Sequence, residues 1–267
     1  MKRYFLLFGF LILQNLTFAQ ELSINPVKLY FDLGSTNSTQ TQTINITNNS
    51  DITQAMEIYT GDWIRNSDGS HTYFESGTQK FSCASWLEVS TNFLNIPPGQ
   101  TEQIRVTLRA PESAEELKSM KWGMLYLQGS KIRELVQDNN NSLQTHINEV
   151  MRFGVHVYQT PPQLSQLSAR VNNMIENPKS PGKYDLELLN EGEVMVNAHS
   201  FLELTNVSTG EEFTSEATEC PIFPLGKRVV TLSLPKGLPK GQYSMLGILD
   251  YGNPNSLEAI EKVIEIK

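Results

Sequence analysis

The stretch Trp86–Val106, WLEVSTNFLNIPPGQTEQIRV, decides the fold class of this chain. It contains two prolines and a glycine at positions 97–99. Because proline fixes φ and lacks a backbone donor, no regular ladder continues through them. After this corner, Ile104 and Val106 alternate with polar residues, the period of a half-buried strand. An aromatic anchor, a proline-glycine corner and an alternating strand are typical of a β-sandwich, where the chain turns between two sheets.

The first residues are predicted to be a targeting segment. Lys2 and Arg3 precede an apolar run over Tyr4–Leu13, and small residues precede a cleavage position after Ala19. This order predicts a secretory signal peptide over residues 1–19. A transmembrane anchor is the less favoured interpretation, because a bilayer needs about 20 apolar residues. We therefore expect an exported protein, in the periplasm or at the cell surface, without membrane insertion.

Composition narrows the classes of partner. The full chain has a formal net charge of −8, and loss of Lys2 and Arg3 with the signal peptide makes it more negative still. An acidic exported protein without a basic tract is not expected to bind nucleic acid or an anionic membrane surface. The only cysteines are Cys83 and Cys220, so the chain is no disulfide-dense scaffold. Whether these two pair depends on geometry and stays open.

Residues 20–160 are predicted to form one β-sandwich domain. Along Leu22–Leu33 the apolar residues change parity at Pro26, which predicts a strand that crosses from one sheet to the other. Turn residues over Asn66–Ser70 predict a hairpin, and a calcium loop is disfavoured because its ligand series is incomplete. Lys121–Gln128 is apolar on both faces, which indicates either a central strand or a strand whose outer face is covered.

A long polar connection and a last strand complete this domain. The connection spans residues 130–146, and such a loop is either functional or disordered. The strand predicted over Ile147–Tyr158 has apolar residues at the odd positions of 151–157, with His156 on the other face. The stiff segment Thr160–Pro162 is the predicted linker.

The second domain, residues 161–267, repeats this pattern of short strands and turns. Turn residues occur at Asn190–Gly192, Thr209–Gly210 and Lys240–Gly241. The predicted strands are Tyr184–Leu189, Val194–Leu204, Arg228–Leu234, Tyr243–Leu249 and Ile260–Ile266. Several short strands separated by turns predict a second sandwich.

The sequence contains no motif for catalysis or metal binding. Neither HxH nor HExxH occurs among the histidines, which are His71, His146, His156 and His199. A GxSxG elbow and a glycine-rich phosphate loop are also missing. We therefore predict a binding protein with no catalytic residue, no metal site and no cofactor. An enzyme is kept as the third interpretation, because catalytic groups can meet from distant positions.

Several segments follow the pattern of a known family. They are INPVKLYFDL (24–33), INITNNSD (44–51), SWLEVSTNFLNIPPGQTEQIRV (85–106) and WGMLYL (122–127), with the strand before the proline linker. On these segments, over roughly residues 22–160, the chain resembles the N-terminal immunoglobulin-like domain of periplasmic pilus chaperones, the PapD-like family. The second domain resembles that family only in length and β character. The resulting fold class is all-β, with two immunoglobulin-like β-sandwich domains joined by a short proline-rich linker.

The resemblance implies a site for a partner's carboxylate. In that family, two basic residues in the cleft between the domains bind the C-terminal carboxylate of a pilin subunit. Matching positions are Lys28 and His156, and the family has lysine at the second. Neutral histidine binds a carboxylate more weakly. The alternative for Lys28 is a solvated lysine at a strand edge. The alternative for His156 is a histidine on the outer face of the sheet whose hydrogen bonds are made within the protein.

The resemblance also implies a site for strand addition, because the family lends this last strand to an incomplete pilin sandwich. The matching positions are Ile147, Glu149, Met151 and Phe153. The family has alternating apolar residues there, so Glu149 departs from its pattern. A glutamate buried without a partner is costly.

Two interpretations of function follow from these observations. The resemblance implies an exported chaperone-like protein that binds pilin-like or other β-rich protein subunits in pilus or fimbria assembly. The departures at His156 and Glu149 favour the alternative, a structural or adhesive interaction module. The alternative predicts that Lys28→Ala and His156→Ala leave partner binding unchanged.

Overall fold

The computed structural model describes residues 21–134, 146–254 and 256–267, with the backbone alone for 130–134 and 146–149. The predicted signal peptide and the middle of the predicted polar connection therefore lie outside the described residues. The regular secondary structure of the described chain is almost entirely β-strand, arranged in two sandwiches. This architecture confirms the predicted all-β class.

The first sandwich contains strands β1 to β10. Their bounds are β1 (Leu22–Asn25), β2 (Lys28–Phe31), β3 (Thr39–Asn48), β4 (Gln54–Arg65), β5 (His71–Glu75), β6 (Leu87–Val89), β7 (Phe93–Ile96), β8 (Thr101–Arg109), β9 (Lys121–Glu134) and β10 (His146–Gln159). One sheet has the order β1-β3-β8-β6, and the other has the order β2-β10-β9-β4-β5 with β7 also paired to β4. Short 3₁₀ helices span Ala84–Trp86 and Ala114–Lys118. The inward side chains of both sheets form one hydrophobic core.

Both predicted crossings between the sheets are confirmed. β1 pairs with β3 in one sheet, and after Pro26 the chain continues as β2, which pairs with β10 in the other. At the corner of residues 97–99 the chain leaves β7, which pairs with β4, and enters β8, which pairs with β3. Gly99 has a φ of 69°, a left-handed conformation that glycine adopts without strain. Its N–H donates to the carbonyl of Asn48 at 2.9 Å, which ties the corner to β3.

The predicted hairpin at Asn66–Ser70 joins β4 to β5. The N–H of Asn66 donates to the carbonyl of Ser70 at 2.9 Å. Oδ1 of Asp68 accepts hydrogen bonds from the Ser70 hydroxyl and N–H, and these bonds lower the pKa of Asp68. This carboxylate oxygen is therefore occupied within the turn itself.

The predicted connection over residues 130–146 begins too early in the chain, whereas its end is within one residue of the start of β10. β9 continues to Glu134 and β10 begins at His146, and their antiparallel register runs unbroken from that pair to Gln159 and Lys121. Polar side chains do not prevent this pairing, because the ladder joins backbone groups. β9 lies between β10 and β4, so its prediction as a central strand is confirmed.

The second sandwich contains strands β11 to β18. Their bounds are β11 (Ala169–Glu176), β12 (Lys183–Asn190), β13 (Val196–Asn206), β14 (Glu212–Thr214), β15 (Thr218–Ile222), β16 (Lys227–Ser233), β17 (Gly241–Asp250) and β18 (Glu258–Ile266). One sheet has the order β11-β12-β16, and the other has the order β14-β13-β17-β18 with β15 paired to β13. The prediction omits β11, β14 and β15. An irregularity between Val171 and Asn173 shifts the register of β11 and hides its alternation.

A buried asparagine closes a turn of the first sandwich. Asn48 ends β3, and its Nδ2 donates to the carbonyls of Ile52 at 2.7 Å and Ile96 at 2.8 Å. Its Oδ1 accepts from the N–H of Ser50 at 2.9 Å. Because the side chain is fully buried, these bonds replace those that water would otherwise make.

The second sandwich contains the same arrangement. Asn190 ends β12, and its Nδ2 donates to the carbonyls of Val194 at 2.7 Å and Ile222 at 2.8 Å. Its Oδ1 accepts from the N–H of Gly192 at 2.8 Å. In both domains one buried side chain therefore joins the end of a strand, the turn after it and a distant segment.

We expect Asn48→Ala and Asn190→Ala each to lower the free energy of unfolding of their own domain. Each substitution removes two hydrogen bonds to carbonyls and one from an N–H, and a buried group that is left without a partner costs about 1–3 kcal/mol. Asn95→Ala, at an exposed position of β7, is the matched control. Urea denaturation combined with amide exchange measures both domains. An equal loss for Asn95→Ala and Asn48→Ala would contradict the assignment.

Candidate functional site at the domain junction

Phe223 brings the second domain into contact with the first. Its ring centroid lies 5.1 Å from that of Trp63, 4.7 Å from that of Trp122 and 6.2 Å from that of Tyr158. All four side chains are buried, although the three from the first domain lie on the outer face of their sheet. This contact explains why β9 is apolar on both sides, since one side faces the core and the other faces the second domain.

The β4–β5 hairpin is the second point of contact. The N–H of Val229 donates to the carbonyl of Ser67 at 2.8 Å. Nη1 of Arg228 donates to the carbonyls of Asn66 at 3.1 Å and Ser67 at 3.3 Å. Arg228 is only 8% exposed, and a Cβ on Gly69 would lie 2.6 Å from its guanidinium. The hairpin therefore needs glycine at position 69 to admit the arginine.

Lys28 and His156 lie side by side at this junction. They are register partners in the parallel pair of β2 and β10, and the N–H of His156 donates to the carbonyl of Val27 at 3.0 Å. Lys28 is exposed, whereas His156 is half-buried. The structure thus brings together the two residues that the resemblance singled out. Their role in binding a carboxylate stays a prediction.

His156 is neutral in this environment. Its ring lies edge-on to that of Trp63, with centroids 4.8 Å apart, and 5.9 Å from the ring of His71. Burial lowers the pKa of this imidazole to about 4, and the neighbouring His71, Lys28 and Arg65 add smaller effects. Lys28 therefore supplies the positive charge of the predicted pair at neutral pH.

Arg65 is a third polar residue of the junction, and the sequence analysis missed it. It is the register partner of His71, and its Nη1 lies 3.1 Å from Nε2 of that histidine. Its Nε is buried without a hydrogen-bond partner. Burial, and then the charge of Arg65, lowers the pKa of His71. The available signal was alternation along β4, which puts Arg65 on the same outer face as Trp63.

β10 has a free edge beside this cluster. Its residues His156–Gln159 pair with β2, whereas the preceding part of β10 pairs only with β9 among the described strands. A cavity of about 180 Å³ lies between this part of β10 and residues 22–27. Its lining includes Leu22, Val27 and Phe153.

The predicted strand-addition residues all belong to β10. Met151 and Phe153 are half-buried on the side that faces the core, and Phe153 packs against the core cluster. The side chains of Ile147 and Glu149 are not among those that the structure describes. The expected cost of burying Glu149 against a partner therefore stays a prediction. The role of these residues in binding a partner stays a prediction.

The two cysteines are free thiols in separate domains. Cys83 lies in the core of the first sandwich and Cys220 in that of the second. Burial raises the pKa of both thiols, which keeps them protonated at neutral pH. Across the described residues, no group of histidine, cysteine and acidic side chains is arranged to hold a metal ion. The same residues include no helix with the length and apolar character to span a membrane.

The structure is similar to solved structures of fimbrial chaperones. One is the CFA/I chaperone in its complex with a tip adhesin, with a TM-score of 0.49, 14% identity, and coverage of 91% of this chain and 98% of that chain. Another is the class 5 fimbriae chaperone CfaA, with a TM-score of 0.47, 13% identity, and coverage of 91% and 98%. A third is the CsuC–CsuE chaperone–tip subunit complex of the Csu pili of Acinetobacter baumannii, with a TM-score of 0.45, 14% identity, and coverage of 90% and 97%. No protein-family model and no curated protein matches the chain.

We expect the stability of the protein to decrease as the pH falls from 6.5 to about 4. In this range the unfolded chain binds a proton at residue 156, whereas the folded chain keeps His156 neutral, so acid favours unfolding. His156→Gln should reduce this slope, because glutamine does not titrate. Urea denaturation at a series of pH values measures the effect. An unchanged slope in His156→Gln would contradict a neutral His156.

Proposed function

We propose that this protein is an exported, non-enzymatic chaperone-like protein that binds β-rich subunits of a surface appendage by β-strand addition. The single observation that carries the proposal is the free edge of β10 next to the Lys28–His156 pair. An incoming strand pairs with the unused N–H and C=O groups of such an edge. The proposal agrees with how the solved structures above are described, but its support is this geometry.

The direction of the backbone groups supports a site along β10. The N–H of His156 points towards β2, where it meets the carbonyl of Val27. Backbone groups alternate in direction along a strand, so Val150, Arg152 and Gly154 present theirs to the same side. No described strand covers that side before His156. An uncovered edge is a ready template for pairing with another chain.

Lys28 gives the proposed complex a register. It stands beside β10 at the point where the free edge ends, and it forms no ion pair among the described side chains. A strand added along β10 would end near this ammonium group. A bound terminal carboxylate would then fix which residues of the added strand face each side of the sheet, because a slip of one residue reverses every side chain.

A structural or adhesive module is the second candidate. The observation that favours it is the neutral state of His156, which leaves one positive charge in the pair instead of two. In that interpretation the free edge has no partner, and the two sandwiches act only as a scaffold.

We expect Val150→Pro to abolish capture of the subunit and Val150→Ala to preserve it. Proline removes a donor on the free side of β10 and is tolerated at an edge strand. Val150 is 55% exposed, so the alanine variant controls for the side chain. The experiment is affinity capture from the periplasm of the source cells. Circular dichroism verifies that both variants fold.

Amide exchange of the purified complex is the second measurement. Val150, Arg152 and Gly154 should become protected when the subunit binds, whereas amides of β18 in the second domain should not change. If Val150→Pro captures the same subunit as the wild type, and these amides stay unprotected, the edge is not the binding site. The scaffold interpretation would then be preferred.

A further inference from the structure

The outer edge of β2 faces away from β10 and pairs with no described strand. The carbonyl of Phe31 points towards the end of β10, where it accepts from the N–H of Thr160 at 2.9 Å. Backbone groups alternate in direction along a strand, so the carbonyl of Tyr30 and the N–H of Asp32 point outward. Without partners, such groups would be a template for pairing with another chain.

Two glutamine side chains of β3 bind these outward groups. Nε2 of Gln42 donates to the carbonyl of Tyr30. Oε1 of Gln40 accepts from the N–H of Asp32 at 3.1 Å, and its Nε2 donates to Oδ1 of the same aspartate. A side-chain amide carries both an acceptor and donors, as a peptide group does. The two side chains therefore make bonds that a neighbouring strand would otherwise make.

These glutamines lie on the face of β3 that points inward. Gln40 and Gln42 are in phase with Ile44 and Ile46, which are fully buried in the core. The glutamines are themselves half-buried. A polar group that faces inward is costly unless it is hydrogen-bonded, and here the bonds are those to β2 and Asp32. The inward face of β3 therefore packs in the core at one end and covers the edge of β2 at the other.

There is room beside this edge for another chain. A cleft of about 500 Å³ lies along it, and its lining includes Tyr30, Asp32, Gln40, Gln42 and Thr160. Bulk therefore does not exclude a second strand here. What opposes pairing is that the outward backbone groups are already hydrogen-bonded.

We propose that Gln40 and Gln42 close the outer edge of β2 against pairing with a second chain, and so confine strand addition on this side of the sheet to β10. The second part rests on the proposed function, whereas the closure itself does not. β2 lies beside β10 on the side where β10 has its free edge, so both edges face an incoming strand. The glutamines decide between them, because an edge whose groups are already bonded offers a partner no gain in hydrogen bonds.

Amide exchange of the purified protein tests the closure. The N–H of Asp32 should be protected in the wild type and should exchange about tenfold faster in Gln40→Ala, because one hydrogen bond is lost. Gln103→Ala, at an exposed position of β8, is the matched control and should leave this amide unchanged. A wild-type Asp32 amide that exchanges as fast as one in an unfolded chain would overturn the proposal.

Self-association tests whether the glutamines exclude another strand. The background is Val150→Pro, in which pairing along the free edge of β10 is disrupted. Addition of Gln40→Ala and Gln42→Ala to this background should raise the average mass in sedimentation towards that of a dimer as the protein concentration increases. The partner in this experiment is a second copy of the same chain.

The exchange of the same amide locates this association. In the variant that lacks both glutamines, the Asp32 amide should be unprotected in dilute solution and should regain protection at concentrations where the protein associates. The control adds Gln103→Ala and Gln242→Ala, at exposed positions of β8 and β17, to Val150→Pro. It should associate no more than Val150→Pro alone.

Circular dichroism verifies that each variant folds. If the variant that lacks both glutamines does not fold, Gln42→Ala alone frees the carbonyl of Tyr30 and should associate more weakly but above the control. The proposal fails if the opened variant associates no more than its control, or if it associates while the Asp32 amide stays unprotected. Because these measurements need no subunit, closure of β2 can hold while Val150→Pro still captures the subunit. Equally, capture can depend on β10 while β2 proves open.

Discussion

The burial of Trp63 on the outer face of a sheet is the constraint on which the junction depends. An outer-face tryptophan would normally be solvated, yet this one is 1% exposed. Its Nε1 donates to the carbonyl of Gly123 at 3.1 Å, and its ring touches Phe223 of the second domain. The same ring desolvates His156 and His71. One aromatic side chain thus contacts the second domain and helps to bury both histidines.

The fold could be predicted where the alternation of apolar and polar side chains shows which residues face the core. The parity change at Pro26 and the corner at residues 97–99 both mark crossings, because each reverses which residues face the core. The prediction failed where the sequence has no such alternation. β9 and β10 continue their backbone pairing as far as Glu134 and His146, and the register shift after Val171 breaks the alternation of β11.

The candidate site could be predicted only in part, for a related reason. Lys28 and His156 were found through the resemblance, and their register in adjacent strands agrees with it. Arg65 matters because β4 pairs with β5 and because the second domain covers the outer face, and neither fact is local in sequence. The neutral state of His156 likewise depends on burial by distant residues. The sequence reveals the charge and the chain position of these residues, but it does not reveal how far each side chain is removed from water.

The separation of the two thiols has a consequence for how the chain tolerates its surroundings. Cys83 and Cys220 are sealed in different cores, so a bridge between them would require both sandwiches to open. No covalent cross-link has to form for either domain to reach its native packing. The fold therefore needs no oxidising compartment, and a thiol reductant should leave the packing of both domains unchanged.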